Sequence, residues 1–168
     1  MGSPARKPAT YEDLLKLPDD KIGEIVDGEL SASPRPAGRH ASCAFTLSTE
    51  IGPPFQAKRG GPGGWLFMFE PELHLADDTL VPDLAGWRRE RMPAVPDVAA
   101  VALARHGVGH AWLINPSTRT LEVYRRDGGS WVLAGTHADD AIVRAEPFGA
   151  IELDLLRLWG EERPTQAG

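Results

Sequence analysis

The chain has 168 residues, of which 42% are hydrophobic and 25% charged, with a formal net charge of −6. Such a length and composition suit a globular domain with a real core. The acidic balance weighs against a non-specific nucleic-acid binder, although it leaves a local basic patch open. The single cysteine, Cys43, cannot form an internal disulfide, which fits a reducing compartment. No apolar run approaches the ~18 residues of a membrane span. The opening "MGSPARKPAT" lacks the apolar stretch of a secretion signal. A cytoplasmic protein with no membrane partner is expected.

Residues 1–9 read as a disordered lead, 10–160 as one domain and 161–168 as a disordered tail. Thr10 is an N-cap with Asp13 three residues on, a capping-box arrangement that starts a short helix, "YEDLLKLP", stopped by Pro18. In "GEIVDGELSAS", Asp27-Gly28 predicts a two-residue hairpin turn between two strands. After the loop "SPRPAG", the spacing of Ala37, Ala41, Ala44, Phe45, Ser48 and Ile51 predicts an amphipathic helix with those residues on one face, ended by Gly52-Pro53-Pro54.

"KRGGPGG" is a loop, and "GWLFMFEPELHLA" is strand material. "TLVPDLAGW" predicts one strand in which Asp83 shares a face with Val81 and Ala85. The basic loop "RRERMPAVP" follows, then "DVAAVALARHG", Ala-rich and helix-prone with Gly107 as its stop. "HAWLIN" predicts a buried strand, which "TLEVYRR" and "SWVLAGTH" extend into an antiparallel meander. "AIVRAE" reads as a strand and "LDLLRLWG" as a closing helix. Hairpins with few helices argue for an α/β or α+β domain.

Several phrases in this order resemble the Uma-type putative restriction endonuclease family of the PD-(D/E)XK nuclease superfamily. They are "TYEDLLKLPDD", "GEIVDGELSASPRPAGRHA", "EPELHL", "VPDLAGWRRERMP", "ARHGVGHAWLINPSTRTLEVYRRDGGSWVLAG" and "FGAIELDLLRLW", spread over Thr10 to Trp159. The resemblance implies a restriction-endonuclease-like mixed sheet with flanking helices. It also implies Mg²⁺-dependent cleavage of DNA, because a divalent ion offsets phosphate charge and lowers the pKa of bound water. Residue by residue, Asp83 in "VPDLAG" matches the metal-binding Asp, Glu24 an N-terminal acid at the same site, and His40 a histidine at the site mouth. Asp83, Glu24 and His40 are therefore the candidate catalytic residues, with Asp83 the metal ligand.

The chain departs from the family pattern after the Asp83 strand. "PAVPDVAAVALARHGV" joins the two sides directly. A strand of about six residues and much of a ten-residue helix are absent by typical element sizes. With them go the motif Glu and its lysine: between Arg91 and Arg105 the one acid is Asp97 and there is no lysine. The central sheet should be shortened, with "TLVPDLAGW" and "HAWLIN" becoming neighbours across a crossover of about a dozen residues. Two functions follow: an endonuclease with an impaired centre, or a non-catalytic descendant that binds DNA or protein. DNA and a second copy of the chain are the expected partners.

Other motifs carry blander readings. His106 and His110 are four apart, but glycines intervene and no Glu follows His106, unlike a zinc-protease helix. "RGGPGG" lacks the Lys-Ser/Thr ending of a phosphate loop. Arg88, Arg89 and Arg91 could meet a DNA backbone or only water. The five tryptophans fit core or edge packing, and Cys43 an ordinary helix position. For Asp83 itself, the alternative to a metal is a strand-end acid facing water or an arginine. For Glu24 it is a solvated strand position. For His40 it is a first-turn residue in solvent, against a phosphate contact.

Overall fold

Local chemistry at Thr10 sets the first turn of the computed structural model, which describes residues 7–36, 38–75, 77–95, 100–101 and 107–164. The Asp13 carboxylate accepts from both the Thr10 N–H (3.1 Å) and the Thr10 hydroxyl (2.9 Å). This starts helix α1, Tyr11–Leu14. Lys16 adds a 2.9 Å ion pair to Asp13. That contact first, and Thr10 second, hold the Asp13 carboxyl well below the usual carboxylate range. The class is α+β, and the chain divides into two compact units, each described by itself: Met1–Arg35, Met68–Ala85 and Val95–His106 form one, and Pro36–Phe67, Gly86–Ala94 and Gly107–Gly168 the other.

The first unit is built on the β1–β2 hairpin, Lys21–Val26 and Glu29–Pro34. Asp27 (φ 50°) and Gly28 (φ 75°) make its turn, the left-handed pair that matches strand twist. Helix α1 lies over β1, where a Cβ on Gly23 would meet Leu14 Cγ at 3.1 Å. Strand β4 (Glu72–Leu75) and strand β5 (Asp78–Leu80) pair antiparallel, and β7 (Ala100–Val101) joins β4 in parallel. The sheet order is β2-β1-β5-β4-β7. Ile25 pairs with Thr79 across β1 and β5, and both are buried.

Three expectations fail here. "TLVPDLAGW" is not one strand. It divides into β5 and β6 (Leu84–Arg88) around a bend at Val81-Pro82-Asp83, because a proline has no N–H to give to a ladder. Asp83 therefore shares no strand face with Val81 and Ala85. Secondly, Ala100 and Val101 are strand, not helix; the rest of "DVAAVALARHG" up to His106, Asp97 included, lies outside the described residues. The anticipated pairing of the Asp83 strand with "HAWLIN" does not occur either. Strand β6 pairs with β3 (Trp65–Phe69), bounded by bonds from Arg89 N–H to Gly64 O (2.9 Å) and Glu70 N–H to Asp83 O (3.1 Å).

Among the described residues, the second unit holds most of the buried apolar side chains. Helix α2, Arg39–Ile51, buries Cys43, Leu47 and Ile51. This corrects the expected face: Ala41 is exposed and Phe45 is 66% exposed. A second i, i+4 series, starting from the small apolar Cys43, takes the inner side. Nor do the prolines stop the winding. A five-residue π-helical turn, Gly52–Gln56, follows directly and buries Pro54 and Phe55, the missing proline N–H groups falling where winding changes. Phe148 gathers Phe55, Trp65, Phe67 and Trp112 at centroid distances of 4.8 to 5.6 Å, within the range of favourable aromatic pairs.

The meander is confirmed as β8 (His110–Asn115), β9 (Thr120–Asp127) and β10 (Ser130–Ala138) in the order β10-β9-β8. Leu121 and Val123 on β9 are buried, but β8 is half-covered, with Leu113 58% exposed. A meander packed on one face leaves alternate residues outside. Strands β11 (Ile142–Val143) and β12 (Leu153–Asp154) pair and lead into α3, Leu155–Leu158, three of whose four residues are buried. Arg157 reaches Glu50 on α2 at 2.7 Å.

Asp154 caps α3 by accepting from Leu156 N–H at 3.2 Å, and it pairs with Arg163 at 2.7 Å. Arg163 also meets the Asp140 carbonyl. The Arg163 guanidinium holds the Asp154 carboxyl below its ordinary range, and the capped amide helps. A carboxyl depressed in the folded state adds stability above its unfolded pKa of about 4 and loses it as pH falls toward the folded value. Urea unfolding at pH 6 and below pH 4 should therefore show a pH-dependent loss that Asp154→Asn reduces. Leu155→Ala, at a fully buried site, should cost about 2–5 kcal/mol in the same assay.

Candidate functional site

Glu24 sits mid-strand on β1, half-buried, between the buried Gly23 and Ile25. The Ile25–Thr79 pairing sets β1 alongside the end of β5. Just beyond that end the ladder stops, and the Val81 N–H would lack a partner. Glu24 supplies it: Oε1 accepts from Val81 N–H at 2.8 Å. Asp83, half-buried, follows two residues later, and its carbonyl accepts from Glu70 N–H at 3.1 Å. The bend is thus held from both sides, by β1 through Glu24 and by the residue after β3 through Glu70. The Glu70 carboxylate turns to Arg35 at 3.2 Å.

Of the three candidates, Glu24 and Asp83 come to one bend of the first unit. His40 belongs to the second unit, on the first turn of α2, half-buried. It lines a cleft of about 350 Å³ with Arg39, Ile114, Asn115, Pro116 and Ser117. Asn115 Oδ1 accepts from the N–H groups of Ser117 (2.9 Å) and Thr118 (3.2 Å), which shapes the turn after β8.

A third cluster went unnoticed in the sequence. Tyr11 O–H donates to Glu72 Oε1 at 2.8 Å, and His74 Nε2 lies 2.7 Å from the same oxygen. The Tyr11 and His74 rings are 5.2 Å apart. The hydrogen bond to Glu72, then burial, then the carboxylate charge push the Tyr11 hydroxyl above its ordinary range. The available signal was the i, i+2 spacing of Glu72 and His74 on one strand face; nothing local linked them to Tyr11. Glu72 is thereby engaged with α1.

Among the described residues, no three His, Cys, Asp or Glu side chains converge in a way that could hold a metal ion. Glu24 and Asp83 are hard oxygen donors of the kind Mg²⁺ takes, since it binds through one or two carboxylates and keeps several waters. Lys21 lies on β1 but three residues from Glu24, so alternation puts it on the opposite face. Its ammonium is 3.8 Å from Asp20. The other readings resolve simply. The Arg88 guanidinium stacks 4.4 Å from the Trp65 ring, His110 approaches Glu146 at 3.6 Å, and Cys43 is buried inside α2. His106 lies outside the described residues.

No family model and no curated protein matches the chain. Among solved structures it is similar to a protein of Anabaena variabilis ATCC 29413 described as a "putative nuclease belonging to DUF820", with a TM-score of 0.64 and 20% sequence identity over 91% of this chain and 98% of that one. At that identity the likeness is one of fold. No helix of the described residues is long and apolar enough to cross a membrane.

Removing the Glu24 acceptor strands a half-buried N–H. Glu24→Ala should lose about 1–3 kcal/mol in urea unfolding, whereas Glu24→Gln keeps an oxygen for Val81 and should retain most of the stability. Tyr11→Phe should cost about 1 kcal/mol and remove any alkaline destabilisation that follows Tyr11 ionisation. The sign is that of a group with raised folded pKa: its contribution is present below the unfolded value and lost as pH rises through the folded one.

Proposed function

We propose that this chain is an endonuclease-type protein of the restriction-endonuclease-like class, acting on DNA with Mg²⁺, whose catalytic centre is impaired. The observation that supports it most directly is that Glu24 bonds the Val81 N–H of the proline bend that also carries Asp83, in a fold similar to that of a protein described as a "putative nuclease". Asp83 would hold the ion. Glu24, with one oxygen given to Val81, would offer the other. A bound Mg²⁺ would offset phosphate charge and acidify its water. The residues expected to complete the set, a strand Glu and a lysine, have no counterpart between Arg91 and Arg105. Loss of a group that positions or deprotonates the attacking water costs about 10²–10⁴-fold, so slow turnover is the consequence.

A second reading, a non-catalytic DNA-binding descendant, draws on the second unit. Its cleft is lined by Arg39, Asn115 and Ser117 as well as His40, and Arg89 and Arg91 are exposed nearby in sequence to the Asp83 bend. Such donors suit phosphate oxygens.

Plasmid nicking and thermal melting, each with and without Mg²⁺ or Mn²⁺, separate the two. The first reading expects slow metal-dependent nicking that Asp83→Ala abolishes, and a metal-induced rise in melting temperature that Asp83→Ala and Glu24→Gln diminish. Equal inertness of wild type and Asp83→Ala, with no metal effect on melting, would sink it. DNA binding without cutting, weakened steeply by salt, would establish the second.

A further inference from the structure

Strand β10 is an edge. In the sheet order β10-β9-β8 it pairs, among the described residues, only with β9. Edge strands in natural proteins are normally blunted by lysine, proline or inward charge, because their unpaired N–H and C=O groups template another strand. Ser130–Ala138 contains no Lys, Arg, Asp, Glu or Pro. It carries instead Trp131, Val132 and Leu133, exposed to 49%, 41% and 50%. Its one protective feature is the register shift between Leu133 and Gly135, which breaks the ladder towards the strand's C-terminal half and leaves Ser130–Leu133 as regular edge.

The outer face continues the pattern. Cross-strand pairs place Leu133 beside Tyr124 and Ala111, and Trp131 beside Arg126. Leu113, 58% exposed, stands on the same face, next to Glu122. The charges of the three strands balance, Arg125 and Arg126 against Glu122 and Asp127, although the whole chain carries −6. Strand β10 itself carries no Lys, Arg, Asp or Glu, so two copies could pair along it without bringing like charge directly opposite like charge.

From these observations we infer that β10 is the homodimer interface of this protein, pairing antiparallel with β10 of a second copy to make a continuous six-stranded sheet. A two-fold axis through Val132 sets Trp131 of each copy opposite Leu133 of the other, and Val132 opposite Val132. That register covers all three exposed apolar residues at once, before the bulge interrupts pairing. Antiparallel self-pairing of one edge is isologous and closes on itself, so it yields a dimer and not a fibre. The three side chains offer roughly 300 Å² of apolar area per copy, beside a backbone edge, against the ~800 Å² per partner of a standard interface. The dimer is accordingly a micromolar one.

Sedimentation velocity on the full chain, from about 1 to 200 µM, reads the association directly. The expected result is a concentration-dependent shift from the monomer to twice its mass, abolished by Trp131→Lys and, separately, by Leu133→Lys. Both positions are half-exposed, so both variants should melt like wild type. Hydrogen exchange on unmodified protein supplies a readout independent of any variant: amides of 130–133 should gain at least tenfold protection at the high concentration. A chain that stays monomeric throughout overturns the inference. So does a dimer that both lysines leave intact, or one in which 130–133 exchange at the same rate at both concentrations.

Discussion

Proline has no N–H to donate, and Pro82 stands where the strand from Asp78 would otherwise run on into Leu84. The ladder must break there, and the break leaves the preceding N–H, that of Val81, at the margin of the sheet. Glu24 reaches across from β1 to accept it. Much of the first unit is arranged around this one bond. It ties the hairpin strand β1 to the end of β5, reinforces the Ile25–Thr79 pair, and sets the position of Asp83, whose carbonyl is held on the other side by Glu70. Among the described residues of the first unit, hydrogen bonds of this kind tie strand to strand. The Asp27 N–H to Asp78 carboxylate bond, 2.8 Å, is another link between the same two strands.

The second unit is organised differently. Phe148 is the centre of an aromatic cluster, and α2, α3 and the inner face of β9 contribute Leu47, Ile51, Leu155, Leu158, Leu121 and Val123 to the buried set. Polar groups at its margin are matched: Trp112 Nε1–H donates to the Glu146 carbonyl at 2.8 Å, and Trp159 Nε1–H to that of Asp139 at 2.7 Å. This is the usual condition for an indole in a core, with its apolar body covered and its single donor satisfied. A meander used in this way has one face inside and one outside, which is why the same three strands provide both core residues and the exposed row along β10.

The functional reading turns on ligand count. A phosphodiester hydrolase that works through Mg²⁺ needs oxygen donors to fix the ion and a further group to orient the attacking water. Glu24 reaches the bend that carries Asp83, and part of Glu24 is already committed to the backbone. Glu70 is engaged by Arg35, Glu72 by Tyr11 with His74, and Asp78 by the Asp27 N–H.

Hairpins, caps and the meander were legible in the sequence because their causes are local. Asp27-Gly28 can adopt positive φ wherever it occurs, Thr10 and Asp13 are three residues apart in any environment, and alternation in "TLEVYRR" needs no partner to be seen. The order of phrases that resembles the Uma-type nucleases was likewise readable, and the fold is similar to that of a solved protein described as a "putative nuclease". Other features depended on contacts far apart in the chain. Only packing selected Cys43, Leu47 and Ile51 over Ala41 and Phe45 as the inner face of α2, since both series have helical spacing. Only the position of β1 showed that Pro82 ends one strand and that Glu24 accepts the Val81 N–H, 57 residues away in sequence. The sequence by itself determined the turns, the caps and the chemical identity of the candidate acids, because those follow from dihedral preference and residue type. Tertiary structure decided which acids meet, which partners occupy them and which apolar residues stay outside, because distance in space is not encoded by neighbours in the chain.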